Sequence, residues 1–247
     1  MAIHKPYRRI SRPFVNGHYI TNSETNYSID KRYAADSKNL IRGYHLLEKE
    51  LYKIFDFVEP TDANLICYSH QIYALLLRAS TEFEANARAI LTSNGYVKSE
   101  NLNITDYFKV NRALKLSEYS ITIPIWDGMN KTFKPLEEWH SGHKLTWYQN
   151  YNATKHNRSE NFAKASIENV INAVGSVFCI LFAQFNIHSF DPNHPIEMFS
   201  IGEGDNLLSH DACFLAIEPP RWNSDEKYDF EWSILRHEAD PFQDYSF

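Results

Sequence analysis

The chain of 247 residues is long enough for one large domain or one domain with appendages. Its composition, 43% hydrophobic and 15% aromatic, supplies a buried core and excludes a disordered chain. The net charge of −6 argues against a protein that coats nucleic acid, because such proteins are usually basic.

Residues 1–36 are polar and aromatic without a sustained period, and they predict an N-terminal arm with one small hairpin at Asn16-Gly17. The arm begins with four basic side chains: Lys5, Arg8, Arg9 and Arg12. By contrast, residues 201–247 carry eleven acidic residues against three basic ones. Two interpretations are open: the arm contacts a phosphate backbone, or it pairs with the acidic tail of the same chain or of another copy.

Two helices are predicted after the arm. Residues 37–58 carry apolar side chains at three- and four-residue spacing, with Ser37 as the N-cap and Pro60 as the stop. Residues 62–93 give the strongest helical pattern, which ends in a cap at Asn94-Gly95. A helix of that length is about 45 Å long, so we expect it to form the backbone of the fold.

The middle of the chain predicts one short helix over residues 103–117 and an irregular hairpin near 119–134. Pro124 interrupts a β-branched and aromatic run there, which favours the edge of a sheet. Residues 139–157 are predicted to be helical in their second half. Short strands are predicted over two segments near the end of the chain: residues 196–201 and 213–218.

Residues 159–185 predict the second long helix, with Asn157 and Glu160 as a capping box at the preceding kink. Its most apolar part, residues 173–185, is too short to span a bilayer and fits a buried helix. The first residues show no apolar run typical of a signal peptide. The cysteines are odd in number and widely spaced: Cys67, Cys179 and Cys213. These observations predict a soluble, cytoplasmic protein without a membrane partner.

The predicted fold class is mainly α: an antiparallel helix bundle built on two long helices, with short β-hairpin insertions. The arm covers residues 1–36. The helical domain covers 37–185, with the hairpin inserted near 119–134. Residues 186–247 are predicted to be short strands and an acidic tail packed on the bundle.

A polar cluster precedes the apolar helix in the segment WYQNYNATKHNRSENF, residues 147–162. Glu82 and Asn86 of the first long helix fall within about 60° of the centre of its apolar stripe. Polar groups near a core need partners, so we expect these two to meet the polar cluster across the helix pair. Tyr148 and Tyr151 are expected to be core residues rather than base-stacking ones.

The segment YNATKHNR, followed by the apolar run NVINAVGSVFCILF, resembles the HEPN superfamily of helical nucleotide-binding and ribonuclease domains. The resemblance covers roughly residues 37–185. The family signature is an arginine, often followed by a polar residue, and a histidine that is separated from the arginine by four to six intervening residues. Two protomers typically place these motifs together and cleave RNA without metal. The resemblance therefore implies a homodimer that binds RNA or nucleotides, uses no cofactor and acts in bacterial defence or a toxin–antitoxin system.

Residue by residue, the resemblance is partial. His156 matches the motif histidine, and Asn152 matches the polar residue. The positions open to the arginine hold three other residues: Gln149, Asn150 and Tyr151. Lys155 and Arg158 would supply the missing positive charge, and Glu82 would stand where family members often keep a carboxylate.

Metal-free RNA cleavage needs a base that takes the 2′-OH proton and a cation that stabilises the charged phosphorane. Histidine titrates near neutral pH, so His156 is the candidate base. Arg158 or Lys155 would stabilise the developing charge, and Glu82 would orient the imidazole.

Each of these residues also has a structural interpretation. His156 is then a buried histidine that hydrogen-bonds Asn152 or Glu82. Arg158 is then an ordinary ion-pair partner of Glu160 or Glu82. On this interpretation the protein is a non-catalytic interaction or sensor module, and its arm or tail recruits a protein partner.

The segment EEWHSGH, residues 137–143, places H-x-x-H beside two acids, a pattern that can hold zinc. No cysteine or third histidine lies at ligand spacing, so we expect no metal here. P-loop, dinucleotide-binding, nucleophile-elbow and zincin motifs do not occur in the sequence, which argues against those enzyme classes.

Overall fold

The computed structural model describes residues 3–12, 27–186 and 214–247, and the backbone of four short strands outside these ranges. The described protein is mainly helical with a small antiparallel sheet, which confirms the predicted mainly-α class. The α-helices are α1 (Ser37–Ile54), α2 (His70–Ser93), α3 (Ile104–Tyr107), α4 (Lys109–Leu114), α5 (Thr146–His156), α6 (Arg158–Asn161), α7 (Ile167–Phe185) and α8 (Trp232–Leu235). The strands are β1 (Phe14–Val15), β2 (His18–Tyr19), β3 (Ser120–Trp126), β4 (Met129–Phe133), β5 (Ser200–Ile201), β6 (Leu208–Ser209) and β7 (Ala216–Glu218).

Helix α2 begins at His70 rather than at residue 62. Ser69 caps it, because the Ser69 hydroxyl accepts a hydrogen bond from the Ile72 N–H at 3.2 Å. Residues 62–64 form a separate 3₁₀ turn. At the other end the predicted cap is confirmed, since Asn94 ends the helix and Gly95 adopts a left-handed φ of +74°.

The predicted helix over residues 159–185 is divided into α6, a 3₁₀ turn over residues 162–164, and α7. The predicted capping box is wrong, because the Asn157 side chain makes no cap hydrogen bond. Ser166 caps α7 instead, and its hydroxyl accepts a hydrogen bond from the Asn169 N–H at 3.4 Å.

The two longest helices, α2 and α7, pack against each other and run in the same direction. Near their first residues, the Ile167 N–H donates to the Cys67 carbonyl at 2.9 Å. Towards their last residues, the Gln184 side-chain amide donates to Asn86 Oδ1 at 2.9 Å. The antiparallel orientation predicted for this pair is therefore wrong.

Helix α1 runs opposite to α2. Gly43 near the start of α1 lies beside Glu82, whereas Glu50 near its end pairs with Arg78 at 2.5 Å. Later residues of α1 therefore contact earlier residues of α2, as in an antiparallel helix pair.

Helix α5 also runs opposite to α2. The Tyr148 hydroxyl in its first turn donates to Glu84 at 2.7 Å, and Arg158, just after its end, lies against Tyr73. Since the chain travels back along α2 in α5, the next long helix returns in the direction of α2. This return explains why α2 and α7 are parallel.

Helix α7 forms the centre of the core, and only Glu168 and Asn172 among its residues are not buried. Its length and apolar composition would suffice to cross a membrane. However, almost all of it is buried inside the protein, which is consistent with the core helix of a soluble protein. Cys179 is one of its buried residues and acts as a small apolar side chain.

The predicted hairpin at a sheet edge is confirmed. Strands β3 and β4 are joined by Asp127 and Gly128, which both have positive φ, and β4 is the edge strand in the order β4-β3-β7-β6-β5. Strand β7 pairs with β3, so the C-terminal segment and the hairpin share one sheet.

Of the predicted terminal strands, residues 196–199 and 213 lie outside the described residues. In the arm, β1 pairs with β2 as expected, although both turn residues lie outside the described part.

The basic arm pairs with the acidic tail of the same chain. Lys5 forms an ion pair with Glu238, and Arg8 forms ion pairs with Asp240 and Asp244. Of the two interpretations of the arm, intramolecular pairing is the observed one.

Two glycine-to-alanine substitutions are expected to change stability in opposite directions. In Gly43→Ala, the added Cβ would lie 3.8 Å from Glu82, an ordinary contact, and the helical alanine should raise the free energy of unfolding by about 0.5–1 kcal/mol. In Gly175→Ala, the Cβ would come within 2.5 Å of Ile121 Cδ1 and 2.9 Å of Pro135 Cγ. We expect that crowding to lower the free energy of unfolding by about 1–3 kcal/mol. Equilibrium denaturation measures both, and a stabilised Gly175→Ala would contradict the close approach of α7 to β3.

Candidate functional site

The segment YNATKHNR ends α5 and begins α6, and its basic side chains lie on the surface. Lys155, His156 and Arg158 are exposed, and Asn152 is half-buried. Asn157 interrupts the helix between them with a φ of −143° and a ψ of 77°. The interpretation of His156 as a buried structural histidine is therefore wrong, because the imidazole lies at the solvent-exposed end of a helix.

Lys155 has an aromatic hydroxyl as its partner. Its Nζ donates to the Tyr151 hydroxyl at 3.0 Å and lies 5.1 Å from the centre of the Tyr151 ring. This hydrogen bond raises the pKa of Lys155, so the ammonium remains charged through the neutral range. Tyr148 and Tyr151 are buried, which confirms that they are core residues.

Glu82 does not orient the imidazole of His156. Its carboxylate lies on the α1 side of α2, where it lines a cleft of about 320 Å³ together with Gly43. Helix α5 packs on a different side, where Tyr148 meets Glu84. Because residues two apart on a helix point about 200° apart, Glu82 and Glu84 cannot both face α5. The predicted role of Glu82 is therefore wrong, and Glu84 is the α2 carboxylate that forms a hydrogen bond with α5.

Burial, together with the hydrogen bond to Glu84, raises the pKa of Tyr148 well above its ordinary value. The phenol therefore stays protonated and donates to the carboxylate. This contact fixes the first turn of α5 on α2, far from the His156 end, so it positions the helix rather than taking part in proton transfer.

The buried polar contact of Asn86 is with α7 rather than with the cluster around His156. Asn86 Oδ1 accepts a hydrogen bond from the Gln184 amide, and Asn86 Nδ2 donates to the Glu82 carbonyl at 2.9 Å. The expectation that Asn86 meets the polar residues of α5 is therefore wrong. Its contacts have a structural role, because a buried amide without partners is costly.

Arg158 lies beside aromatic side chains. Its guanidinium carbon is 5.8 Å from the centre of the Tyr73 ring on α2. The Phe162 ring lies 6.1 Å from Tyr73, 4.7 Å from His70 and 5.4 Å from Tyr68, measured between ring centres. The alternative ion pair of this arginine is not among the salt bridges of the described residues. The structure thus brings Arg158 together with the aromatic residues at the start of α2.

The sequence pattern alone does not predict this aromatic group. The apolar spacing places the segment YSHQIY, residues 68–73, inside one long predicted helix that begins at residue 62. The available signal is Ser69, an N-cap type of residue that lies three positions before Ile72, the first apolar residue of the stripe. A helix that begins there places Tyr68 and His70 at its exposed end.

The segment EEWHSGH has a structural role at the start of α5. The Glu138 carboxylate accepts hydrogen bonds from the Thr146 N–H at 2.7 Å and from the Thr146 hydroxyl at 2.5 Å. His140 and His143 are exposed. Within the described residues, no group of three or more histidine, cysteine, aspartate or glutamate side chains is placed to hold a metal ion.

Alanine substitutions at His156 and at Asn86 are expected to change the free energy of unfolding by different amounts, because His156 is exposed and Asn86 is buried. His156→Ala should leave the free energy of unfolding within about 0.5 kcal/mol, because the side chain is exposed. Asn86→Ala should lower it by about 1–3 kcal/mol, because the buried Gln184 amide loses its acceptor. Chemical denaturation checks both, and an equal loss at the two positions would contradict the exposed placement of His156.

Comparisons with protein-family models, with curated proteins and with solved structures find no match to this chain. The chemistry of the described surface is therefore what indicates a function. That surface combines exposed cations, an exposed imidazole and aromatic rings within two neighbouring segments, residues 68–73 and 155–162.

Proposed function

We propose that the protein binds RNA or nucleotides, and cleaves RNA without a metal ion, at the surface formed by Lys155, His156 and Arg158. The observation that supports this most is that all three side chains are exposed around one helix junction. Residues 155–164 carry three Lys/Arg and one Glu, so this surface is locally basic although the chain is acidic overall. Exposed cations of this kind attract phosphate groups.

The resemblance to HEPN domains adds the setting: a cytoplasmic helix bundle in bacterial defence or a toxin–antitoxin system. Four helices that alternate in direction, α1, α2, α5 and α7, support the bundle part of this proposal. The proposal includes a homodimer, because an exposed helix end in one copy offers little enclosure for an RNA strand. A second copy related by a two-fold axis would supply the opposite wall of the cleft.

In the proposed reaction His156 takes the proton of the 2′-hydroxyl, and the 2′-oxygen attacks the adjacent phosphorus. The P–O5′ bond breaks, and the leaving oxygen takes up a proton from the imidazolium or from water. Lys155 and Arg158, both positively charged at neutral pH, stabilise the charge on the phosphorane. Asn152, one turn before His156, is assigned a hydrogen bond to the substrate. The products are a 2′,3′-cyclic phosphate and a 5′-hydroxyl.

Cleavage of a labelled single-stranded RNA in the presence of a metal chelator tests the proposal. We expect the wild-type protein to produce 2′,3′-cyclic phosphate ends. His156→Ala should lower the rate by about 10²–10⁴-fold, because it removes the base. Arg158→Ala should also lower it, because it removes a cation that stabilises the transition state.

His143→Ala and Arg112→Ala are the matched controls, since both side chains are exposed and lie outside the segment. Neither control should change the rate. Equal rates in the wild type, His156→Ala and Arg158→Ala would remove the catalytic part of the proposal.

The second candidate is a non-catalytic interaction or sensor module. The absence of the motif arginine favours it, and so does the position of Glu82 on the α1 side. Among the described residues, no hydrogen bond orients the His156 imidazole. A protein partner recruited through the arm or the tail would have to compete with the ion pairs that join them. A folded protein that neither binds nor cleaves RNA would support this candidate, whereas RNA binding that depends on Arg158 would count against it.

A further inference from the structure

We infer that Tyr68 and His70 form a subsite on which an unpaired nucleobase stacks, beside the cations that bind phosphate. The inference rests on the proposed function, and it assigns a role to side chains outside the segment that resembles a family motif. Its basis is the cluster of rings that includes Phe162 and Tyr73 and that borders Arg158.

The rings combine an exposed outer layer with a supporting inner one. Tyr68 is 51% exposed and His70 is exposed, whereas Phe162 and Tyr73 are half-buried behind them. Phe162 contacts the other three rings, with ring centres 4.7–6.1 Å apart. An aromatic side chain of this size left half in solvent offers a flat apolar face to a ligand.

The backbone that carries Tyr68 is held firmly. Tyr68 forms a β-bridge with Ser166, and the carbonyls of Leu65 and Cys67 accept hydrogen bonds at 3.0 and 2.9 Å from the first N–H groups of α7. Ser69 then caps α2. Because the segment is fixed before a ligand arrives, stacking on these rings loses little conformational entropy.

The positive charges beside the rings favour a ligand that carries a phosphate group. Arg158 lies over Tyr73, which is one helical turn from His70, and Lys155 and Lys164 add positive charge in the same stretch of chain. The exposed acids there are Glu160 and Glu168. A nucleotide unit with an unpaired base fits this arrangement, because its base stacks on a ring while its phosphate meets a cation. A base inside a duplex presents no free face to the rings.

The experiment compares two single-stranded oligomers of equal length and charge. One is a 2′-O-methyl adenosine hexamer, which lacks the 2′-hydroxyl needed for cleavage. The other is a hexamer of abasic spacers. We expect the wild type to bind the base-containing oligomer more tightly. Tyr68→Ala and His70→Ala should each weaken that binding on the order of tenfold and leave binding of the abasic oligomer unchanged.

Tyr52→Ala is the matched control, because Tyr52 is 47% exposed and its ring contacts Phe214 instead. It should change neither affinity. Circular dichroism confirms that the variants are folded, and His70→Ala keeps the test decisive if Tyr68→Ala is unstable. Equal binding of the two oligomers by the wild type overturns the stacking subsite and leaves the proposed function standing. Binding of neither oligomer overturns both.

Discussion

The parallel contact between α2 and α7 is the constraint on which the rest of the structure depends. It is held at one end by hydrogen bonds from the first turn of α7 to residues 65–67, and at the other by the amides of Asn86 and Gln184. Arg9 strengthens the second end, because its guanidinium donates to Gln184 at 3.1 Å and to Ser93 at 3.0 Å. Since a buried polar group that loses its partner costs about 1–3 kcal/mol, α7 cannot slide along α2 without breaking these contacts.

This constraint determines where the candidate site lies. The chain leaves α2 at Asn94 and must return to its beginning before α7 can start beside Cys67. Helix α5 makes that return along α2, so its last residues reach the first turns of α2. The residues at the end of α5 are Lys155 and His156, and α6 places Arg158 next to Tyr73. Cations and aromatic rings that are far apart in the sequence therefore meet at one end of the helix pair.

Local patterns in the sequence predicted local features well. The mainly-α class, the hairpin of β3 and β4, and the cap at Asn94 and Gly95 follow from apolar spacing and turn residues. The direction of α7 relative to α2 did not follow, because a helical stripe shows which face is buried but not which way its neighbour runs. Glu82 was misplaced for a similar reason. Glu82 and Glu84 both border the buried stripe, and only tertiary packing decides which of them faces α5.

The partners of the basic residues distinguish the arm from the candidate site. Lys5 and Arg8 are paired with carboxylates of the tail, so a phosphate could reach them only by displacing an ion pair. Lys155 and Arg158 lie instead over tyrosine rings, and neither forms a salt bridge among the described residues. An incoming phosphate there gains a charge partner without breaking an existing one. The sequence made the arm look like the more basic region, yet pairing within the chain makes the junction of α5 and α6 the more accessible positive surface.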